Sequence, residues 1–328
     1  MKKLKVNLLK MLKTILLPVI VYLVLLIATG GRFGKPSSLL MVFRLSVIPI
    51  MIAYAIGMNM TIGMWDFSVG GIIYASAILG GTLSHKTGTG VWGMFIFIVG
   101  IAILFSTLNG ILYKLMKIPS LVLTTGMLMV YEALPRVIGI KEVKISISDG
   151  VLAQMPWCYI ILFVMFALFY VVYNKTSLGY NVKATGANQI IASNAGIDIE
   201  KVKFQSFLFG GVFAGLAAVL LLSNNTTIRP IASMGSIHLL FDAMMGVFIA
   251  FFLSSSCNFA VGIVIGTVSM QMLTSGLVAM GLDTNARSIA SGLFLLILLI
   301  ISSNQGSFAK MVRRKQLAKE ANLKYTEG

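Results

Sequence analysis

Residues 174–203, NKTSLGYNVKATGANQIIASNAGIDIEKVK, form the longest polar interruption in a sequence that is otherwise almost entirely apolar. The stretch carries four lysines and two acids, and an apolar run flanks it on each side. Because unpaired backbone groups are too costly in hydrocarbon, such a stretch must lie in water or against a partner. We therefore expect residues 174–203 to lie outside the membrane and most of the remaining chain to lie within it.

The composition is that of a polytopic membrane protein. Of the 328 residues, 58% are hydrophobic and 11% are charged, whereas soluble domains carry about 25% charged residues. The formal net charge of +16 would suggest nucleic acid as a partner for a soluble protein. Here the basic residues flank apolar runs, so the positive-inside rule and the headgroups of membrane lipid explain them better than nucleic-acid binding.

Apolar runs approaching the length of a transmembrane helix, about 20 residues, define the fold. There are ten, at residues 14–29, 39–57, 67–84, 91–114, 119–140, 156–173, 203–223, 236–254, 257–281 and 286–303. After the first, four spans precede residues 141–155 and four follow the central loop, so the two groups cross in opposite directions, as in many transporters. We predict an all-α polytopic membrane protein with about ten transmembrane helices in two inverted-repeat halves, forming one domain over residues 1–328.

The placement of lysine and arginine predicts the orientation. With the N-terminus inside the cell, 17 of the 26 basic residues fall in inside segments, including the loop at 174–203 and a tail at 304–328. Both termini are then cytoplasmic and the chain lies in the cytoplasmic membrane. No small-residue cleavage site closes the first apolar run, so we expect a retained helix rather than a signal peptide.

Several kinds of chemistry find no support in the sequence. The two cysteines and two histidines show no metal-binding spacing, and we predict neither a metal nor any other cofactor. A phosphate-binding loop, G-x-x-x-x-G-K-[ST], is also missing, since Gly-Lys occurs only at Gly34-Lys35, before Pro36. A process driven by ATP would therefore need a separate ATP-binding chain.

The apolar pattern breaks at residues 57–71, GMNMTIGMWDFSVGG. Aspartate accepts hydrogen bonds from the free amides of a first helical turn, so Asp66 is expected to cap a helix beginning near Phe67. The alternatives are direct contact with a solute and packing against other spans. Further on, Asn109, Thr124 and Thr125 place polar groups in two spans, where they favour close packing or line a path.

Two more acids lie inside predicted spans. Glu132 and Arg136 are four residues apart, so we expect them to pair on one helix face, in preference to a gating or solute-binding role. Asp242 has no evident partner in the sequence and is expected to face a cavity. The predicted translocation residues are Asp66, Ser68, Asn109, Thr124, Thr125 and Asp242.

The central loop itself shows recurring alanine and glycine. Residues 188–194 are predicted to form a short helix of two turns, which can dock into a groove on a partner. An ordinary solvated loop is the alternative.

Three stretches carry a resemblance to a known family. Residues 176–197 follow the pattern T-x-x-G-x-x-x-x-A-x-G-x-N-x-x-A-A-x-x-x-G-I, with Ile191 in place of one alanine. Residues 63–70, GMWDFSVG, are similar to G-G-I-D-L-S-V-G, and Asn109-Gly110 with residues 118–126 is similar to N-G…I-P-S-F-I-x-T-L-G. In this order, and over about residues 15–303, the chain resembles the bacterial ABC-type monosaccharide permeases of the ribose, xylose and galactose class.

This resemblance implies a permease subunit that carries a simple sugar and is not itself an enzyme. The implied partners are an ABC ATPase subunit, an extracellular solute-binding protein and a second permease copy. The ATPase would dock on the 174–203 coupling loop, for which the matching residues are Gly186, Asn188, Ala192, Ala195 and Gly196. The chain departs from the family at residues 246–257, where a usual glycine-rich loop has lost most of its glycines, which leaves the solute open.

Other functions remain in competition. A nucleoside, an autoinducer or an amino acid is the alternative solute within the same superfamily. An ion-coupled secondary transporter is a second alternative, since Asp66, Glu132 and Asp242 are potential proton or cation carriers. A membrane-embedded enzyme is the least favoured, because the sequence has no constellation of catalytic side chains.

Overall fold

A computed structural model describes residues 2–254 and 256–303, which are almost entirely helical. Twelve α-helices are present in these ranges: α1 (Lys2–Ala28), α2 (Pro36–Ile62), α3 (Ser68–Thr87), α4 (Gly90–Met116), α5 (Ser120–Val137), α6 (Trp157–Lys175), α7 (Ser177–Ala187), α8 (Gln189–Asn194), α9 (Ile199–Asn225), α10 (Ile237–Leu253), α11 (Phe259–Ala279) and α12 (Thr284–Ser303). Short 3₁₀ helices lie at Arg32–Gly34 and Ile147–Ala153.

The prediction of an all-α polytopic membrane protein is confirmed. Each of the ten predicted spans coincides with one helix, and α2, α4, α6, α9 and α11 are long and apolar enough to cross a membrane. The apolar part of α1 (Thr14–Ala28) and α10 are apolar but shorter. The main difference is that α2 continues to Ile62, so the break before α3 is shorter than the sequence suggested. The predicted tail at 304–328 lies outside the described residues.

Helix α9 is the centre of the bundle, and glycines let its neighbours approach it closely. A Cβ atom at Gly211 would lie 2.6 Å from the Cβ of Ser106, and one at Gly215 would lie 2.9 Å from the Cα of Val99. Both contacts are with α4, so the Gly-x-x-x-Gly spacing on α9 forms a close helix–helix interface. Helix α6 is peripheral, with only Cys158, Phe169 and Tyr173 buried among its described side chains.

Helix contacts in the two halves largely correspond. If α2–α5 are matched with α9–α12, the contact of α4 with α9 has its counterpart in that of α11 with α2. Likewise, the contact of α3 with α4 corresponds to the contact of α10 with α11. The contact of α3 with α9 corresponds to the contact of α10 with α2. The contact of α3 with α5 is much more extensive than that of α10 with α12. The packing therefore supports a repeat, and its inverted orientation stays a prediction from span counting.

A small strand pair connects the two loops at one end of the bundle. Strand β1 (Val143–Lys144) pairs antiparallel with β2 (Thr227–Ile228), with Val143 opposite Ile228. Beside them, Glu142 forms ion pairs with Lys144 at 2.7 Å and with Arg229 at 3.2 Å. Hydrogen bonds from these two cations lower the pKa of the partly exposed Glu142 carboxyl. The loops before α6 and before α10 are thus joined, and the paired residues Val143 and Ile228 are buried against the core.

The glycine interface on α9 predicts a stability difference. Replacing Gly215 with leucine forces its side chain against α4, and overpacking of this kind costs about 1–3 kcal/mol. Gly100 lies on α4 with open space where its Cβ would be, so Gly100→Leu is the matched control. The melting temperature of the detergent-solubilised protein should fall for Gly215→Leu and stay near wild type for Gly100→Leu. Equal melting temperatures for the two variants would contradict this packing.

Candidate functional site

The five residues between α2 and α3 leave the helical path, yet the amide groups of four of them find acceptors inside the protein. Gly63 ends α2 in a left-handed conformation, with φ of 84°, and Met64 N donates to the Asn59 carbonyl at 2.9 Å. Side chains of α5 accept from the next residues: Ser120 Oγ accepts from Trp65 N and Thr124 Oγ1 from Phe67 N, both at 3.1 Å. The break is therefore held by α5.

Asp66 caps α3, as the sequence predicted. Its Oδ1 accepts from the Ser68 amide at 3.1 Å and from the Ser68 hydroxyl at 2.5 Å. Its Oδ2 accepts from Asn59 Nδ2 at 3.2 Å. Only 5% of the Asp66 surface is exposed, so the positive end of the α3 dipole and these three donors take the place of water.

The bonds of Asp66 belong to a longer buried chain. Ser206 Oγ donates to Asn59 Oδ1 at 2.5 Å, which brings in α9. On the other side, Asn109 Nδ2 donates to Ser68 Oγ at 2.6 Å, and the Tyr131 hydroxyl donates to Asn109 Oδ1 at 2.8 Å. Asn109 lies seven residues before the end of α4, about 10 Å along the helix. The chain joins α2, α3, α4, α5 and α9 well inside the bundle.

A second buried acid caps a second helix. Glu132, on α5, is 3% exposed. Its Oε1 accepts from the Ser236 amide at 2.8 Å and from the Ser236 hydroxyl at 2.7 Å, while Oε2 accepts from Met234 N at 2.9 Å. These groups precede the first residue of α10, so the carboxylate neutralises that helix end.

The expected pairing of Glu132 with Arg136 is therefore wrong. Arg136 is exposed, and no ion pair joins it to Glu132 among the side chains that the structure describes. The amides that precede α10 need an acceptor in the interior, whereas the guanidinium group remains solvated, so the carboxylate bonds the amides.

The N-terminal ends of α3 and α10 meet. A Cβ atom at Gly70 would lie 2.7 Å from the Ser236 carbonyl oxygen, and one at Gly71 would lie 2.9 Å from the Leu128 carbonyl oxygen. Glycine is therefore required at Gly70 for the approach of α3 to α10, and at Gly71 for the approach of α3 to α5. Two helix N-termini, each with its own buried carboxylate, thus lie side by side within the bundle.

The six predicted translocation residues separate into two groups. Asp66, Ser68, Asn109 and Thr124 are buried and take part in the contacts above. Thr125 is only partly buried and donates to the Leu121 carbonyl of its own helix, and Asp242 is exposed.

An aromatic surface lies beside Asp242. Trp65, which is 39% exposed, packs against Phe248 with ring centroids 6.0 Å apart. Phe67 packs against Phe241 at 6.2 Å, next to Asp242 in the chain. We call Trp65, Phe67, Phe241, Asp242 and Phe248 the aromatic surface.

The central loop folds into helices because polar side chains cap each of them. Thr176 Oγ1 accepts from Gly179 N at the start of α7, at 3.5 Å. Asn188 Oδ1 accepts from Ile190 N at 2.9 Å and from Ile191 N at 3.1 Å at the start of α8. Asp198 Oδ1 accepts from Lys201 N at 3.0 Å at the start of α9. The predicted short helix is confirmed as α8, one residue after Asn188.

Helix α7 is fixed against the bundle. A Cβ atom at Gly186 would lie 2.0 Å from the Thr61 carbonyl oxygen, so only glycine lets α7 touch the end of α2. Lys183 Nζ donates to Asn174 Oδ1 at 3.1 Å and lies 4.3 Å from the centre of the Tyr173 ring. Partial burial lowers the pKa of the Lys183 ammonium group.

Helix α8 presents an apolar surface to the exterior. Ala192 faces inwards with 3% of its surface exposed, whereas Ile190 and Ile191 are 75% and 67% exposed. Ala195 is exposed, and Gly196 takes φ of 85° so that the chain can turn into α9. Two adjacent isoleucines exposed on a polar loop are unfavourable in water and typical of a contact surface.

Several residues of these sites are not predicted from the sequence. Asn59 stood in the stretch 57–71 and was a detectable signal, as a polar residue in an apolar run. Ser206 and Tyr131 gave no signal, because serine and tyrosine are common in spans and only the fold shows their partners. Ile190 is not predicted because the recurring pattern in the loop consists of alanine and glycine.

Comparison with known proteins gives one family and several relatives. Residues 39–302 match the family described as "Branched-chain amino acid transport system / permease component". The chain is 26% identical over 290 residues to the galactofuranose transporter permease protein YtfT of Escherichia coli, covering 84% of this chain and 82% of that protein. No solved structure matches.

Two further relatives are similar. Identity to the fructose import permease protein FrcC of Rhizobium meliloti is 23% over 305 residues, or 87% of this chain and 84% of the relative. Identity to the autoinducer 2 import system permease protein LsrC of Yersinia enterocolitica is 28% over 221 residues, or 64% of this chain and 60% of the relative.

The buried chain predicts different roles for two aspartates. Asp66→Ala leaves three buried donors without their carboxylate, and the unfolding free energy should fall by about 3 kcal/mol or more. Asp242→Ala removes an exposed group and should change it by about 0.5 kcal/mol or less. Asp66→Asn keeps one oxygen for Ser68, so its loss of unfolding free energy should lie between those of Asp66→Ala and Asp242→Ala. Thermal unfolding in detergent measures all three, and an unchanged Asp66→Ala protein would refute the structural role of the carboxylate.

Proposed function

The chain belongs to this family of transport-system permease components, and from that premise we propose that it is the membrane-spanning permease subunit of an ABC importer for a sugar. The relatives named above carry galactofuranose, fructose and autoinducer 2, which favours a sugar or a sugar-like solute. Autoinducer 2 itself is the second candidate. Permease subunits are not enzymes, so ATP hydrolysis takes place in a partner chain.

The exposed helix α8 is the observation that supports this function most directly. An importer without its own phosphate-binding loop needs a surface on which an ATPase can act. Here Asn188 caps α8, Ala192 anchors it and Gly196 turns the chain after it. These residues build the helix, while Ile190 and Ile191 provide the apolar area that enters a groove on the ATPase.

Gly186 and Ala195 have different parts in this proposal. Gly186 transmits movement of α7 to the end of α2 through its contact with Thr61. Ala195 lies at the exposed end of α8, where its small side chain does not obstruct the contact with the ATPase. The proposed coupling residues are thus those predicted, with Ile190 and Ile191 added as the contacting side chains.

The proposed assembly has further components. The loop 174–203 and both termini face the cytoplasm, and the protein lies in the cytoplasmic membrane. An extracellular solute-binding protein delivers the sugar to the opposite face, where β1 and β2 join two loops. A second permease copy completes the pathway, as the family resemblance implies.

The sugar pathway follows the aromatic surface rather than the buried chain. Asp66, Ser68, Asn109 and Thr124 stabilise the helix break that supports this surface. Asp242 and Thr125 remain accessible to a solute, and aromatic rings offer broad apolar contact to a sugar.

Asp242→Ala should therefore lower sugar uptake severalfold at an unchanged melting temperature, and unaltered uptake would remove Asp242 from the pathway.

Docking at α8 predicts loss of ATPase binding without loss of fold. Ile190→Asp places a charge in the apolar contact and should weaken ATPase binding about tenfold or more, since a buried isoleucine contributes about 1.5–3 kcal/mol. Ile147 is 78% exposed and lies in the loop before α6, so Ile147→Asp is the matched control. Co-purification of the ATPase subunit measures both, and wild-type binding by Ile190→Asp would contradict the proposed docking surface.

A further inference from the structure

A groove opens between the last turns of α4 and the first turns of α9. Its volume is about 390 Å³. The lining residues come from both helices and from the residue before α9: Ile111, Lys114, Leu115, Asp198, Lys201 and Phe204. This groove belongs neither to the buried chain nor to the surface of α8.

Charge and apolarity are arranged by depth in the groove. Lys114 is two residues from the end of α4, and Lys201 is two residues after the start of α9, so each lies about 3 Å from its helix end. Ile111 and Phe204 lie one turn deeper on the same helix faces. The groove therefore has two ammonium groups at its mouth and an apolar floor that continues towards the membrane interior.

The charge around the mouth is positive on balance. Lys117 and Lys203 add to the two lining lysines, while Asp198 and Glu200 oppose them, a net charge of +2. Asp198 is already bonded to the Lys201 amide as the cap of α9. Lys203 Nζ lies 3.4 Å from the Tyr113 hydroxyl and is held against α4. Lys114 and Lys201 are exposed and have no carboxylate partner among the ion pairs of the described residues.

We propose that this groove binds an anionic glycerophospholipid, with the phosphodiester between Lys114 and Lys201 and an acyl chain along Ile111 and Phe204. Basic pockets between transmembrane helices bind anionic headgroups in this way. The two ammonium groups and the apolar floor together fit a ligand that has both a negatively charged head and a hydrocarbon chain. Placement in the cytoplasmic leaflet rests on the orientation given under the proposed function.

Such a lipid would bridge α4 and the start of α9, at the C-terminal end of the 174–203 coupling loop. Asp198 ends the turn that follows α8, so the headgroup lies beside the chain that an ATPase would move. The bound lipid is therefore expected to stabilise one position of α9 relative to α4.

Native mass spectrometry of the full chain in detergent, titrated with phosphatidylglycerol or phosphatidylethanolamine, tests the proposal. Phosphatidylglycerol should bind more tightly, and Lys114→Gln and Lys201→Gln should each weaken it about fivefold, the ratio that corresponds to about 1 kcal/mol per basic residue. Ile111→Trp fills the groove without changing its charge and should also reduce binding. Lys175→Gln removes an exposed lysine at the end of α6 and should leave binding unchanged.

Three results would overturn the proposal. Equal affinity for phosphatidylglycerol and phosphatidylethanolamine would show that the negative charge of the lipid does not determine binding. Unchanged phosphatidylglycerol binding in both lysine variants, with melting temperatures near wild type, would place the lipid elsewhere. Displacement of the lipid by inorganic phosphate, with no effect of Ile111→Trp, would indicate a free phosphate site. None of these readings uses sugar or an ATPase subunit, so they are independent of the proposed transport function.

Discussion

The bonding of two buried carboxylates to two helix ends is the interaction on which this bundle depends. A helix that begins inside a membrane protein exposes amide groups that water cannot reach, and each unsatisfied group is costly. Asp66 supplies the acceptor for α3 and Glu132 supplies it for α10. Each negative charge lies at the positive end of a helix dipole, so the carboxylate and the helix end compensate each other. Close contact at Gly70 then lets the two helix starts pack together.

The same interactions connect the membrane interior with the polar loop. Gly186 of α7 touches the Thr61 carbonyl, two residues after Asn59, and Asn59 bonds both Asp66 and Ser206. The surface helix α8, the end of α2 and the break before α3 are therefore in contiguous contact. A partner that displaces α7 acts on α2 directly before its break, at the point where five helices share one chain of hydrogen bonds.

Much of this architecture could be predicted from the sequence, because span length, lysine placement and capping residues are local signals. The ten helices and the short helix after Asn188 follow from such patterns. The hydrogen-bond partners of buried side chains could not be predicted in this way, since they depend on contacts between residues that are distant in the sequence. Glu132 has Arg136 one turn away, yet it bonds Ser236, 104 residues further along the chain. Asp66 was correctly expected to cap α3, but its bond to Asn59 and the link to Ser206 required the packing of α2 on α9.

We propose that this permease moves a sugar by using ATP hydrolysed in a partner chain. The most direct measurement is uptake of labelled sugar into proteoliposomes that contain the permease and its ATPase subunit, supplied with the solute-binding protein. Uptake should require ATP on the side of α8 and should not respond to a proton or sodium gradient alone. Uptake driven by an ion gradient in the absence of ATP would contradict an ABC importer and indicate a secondary transporter.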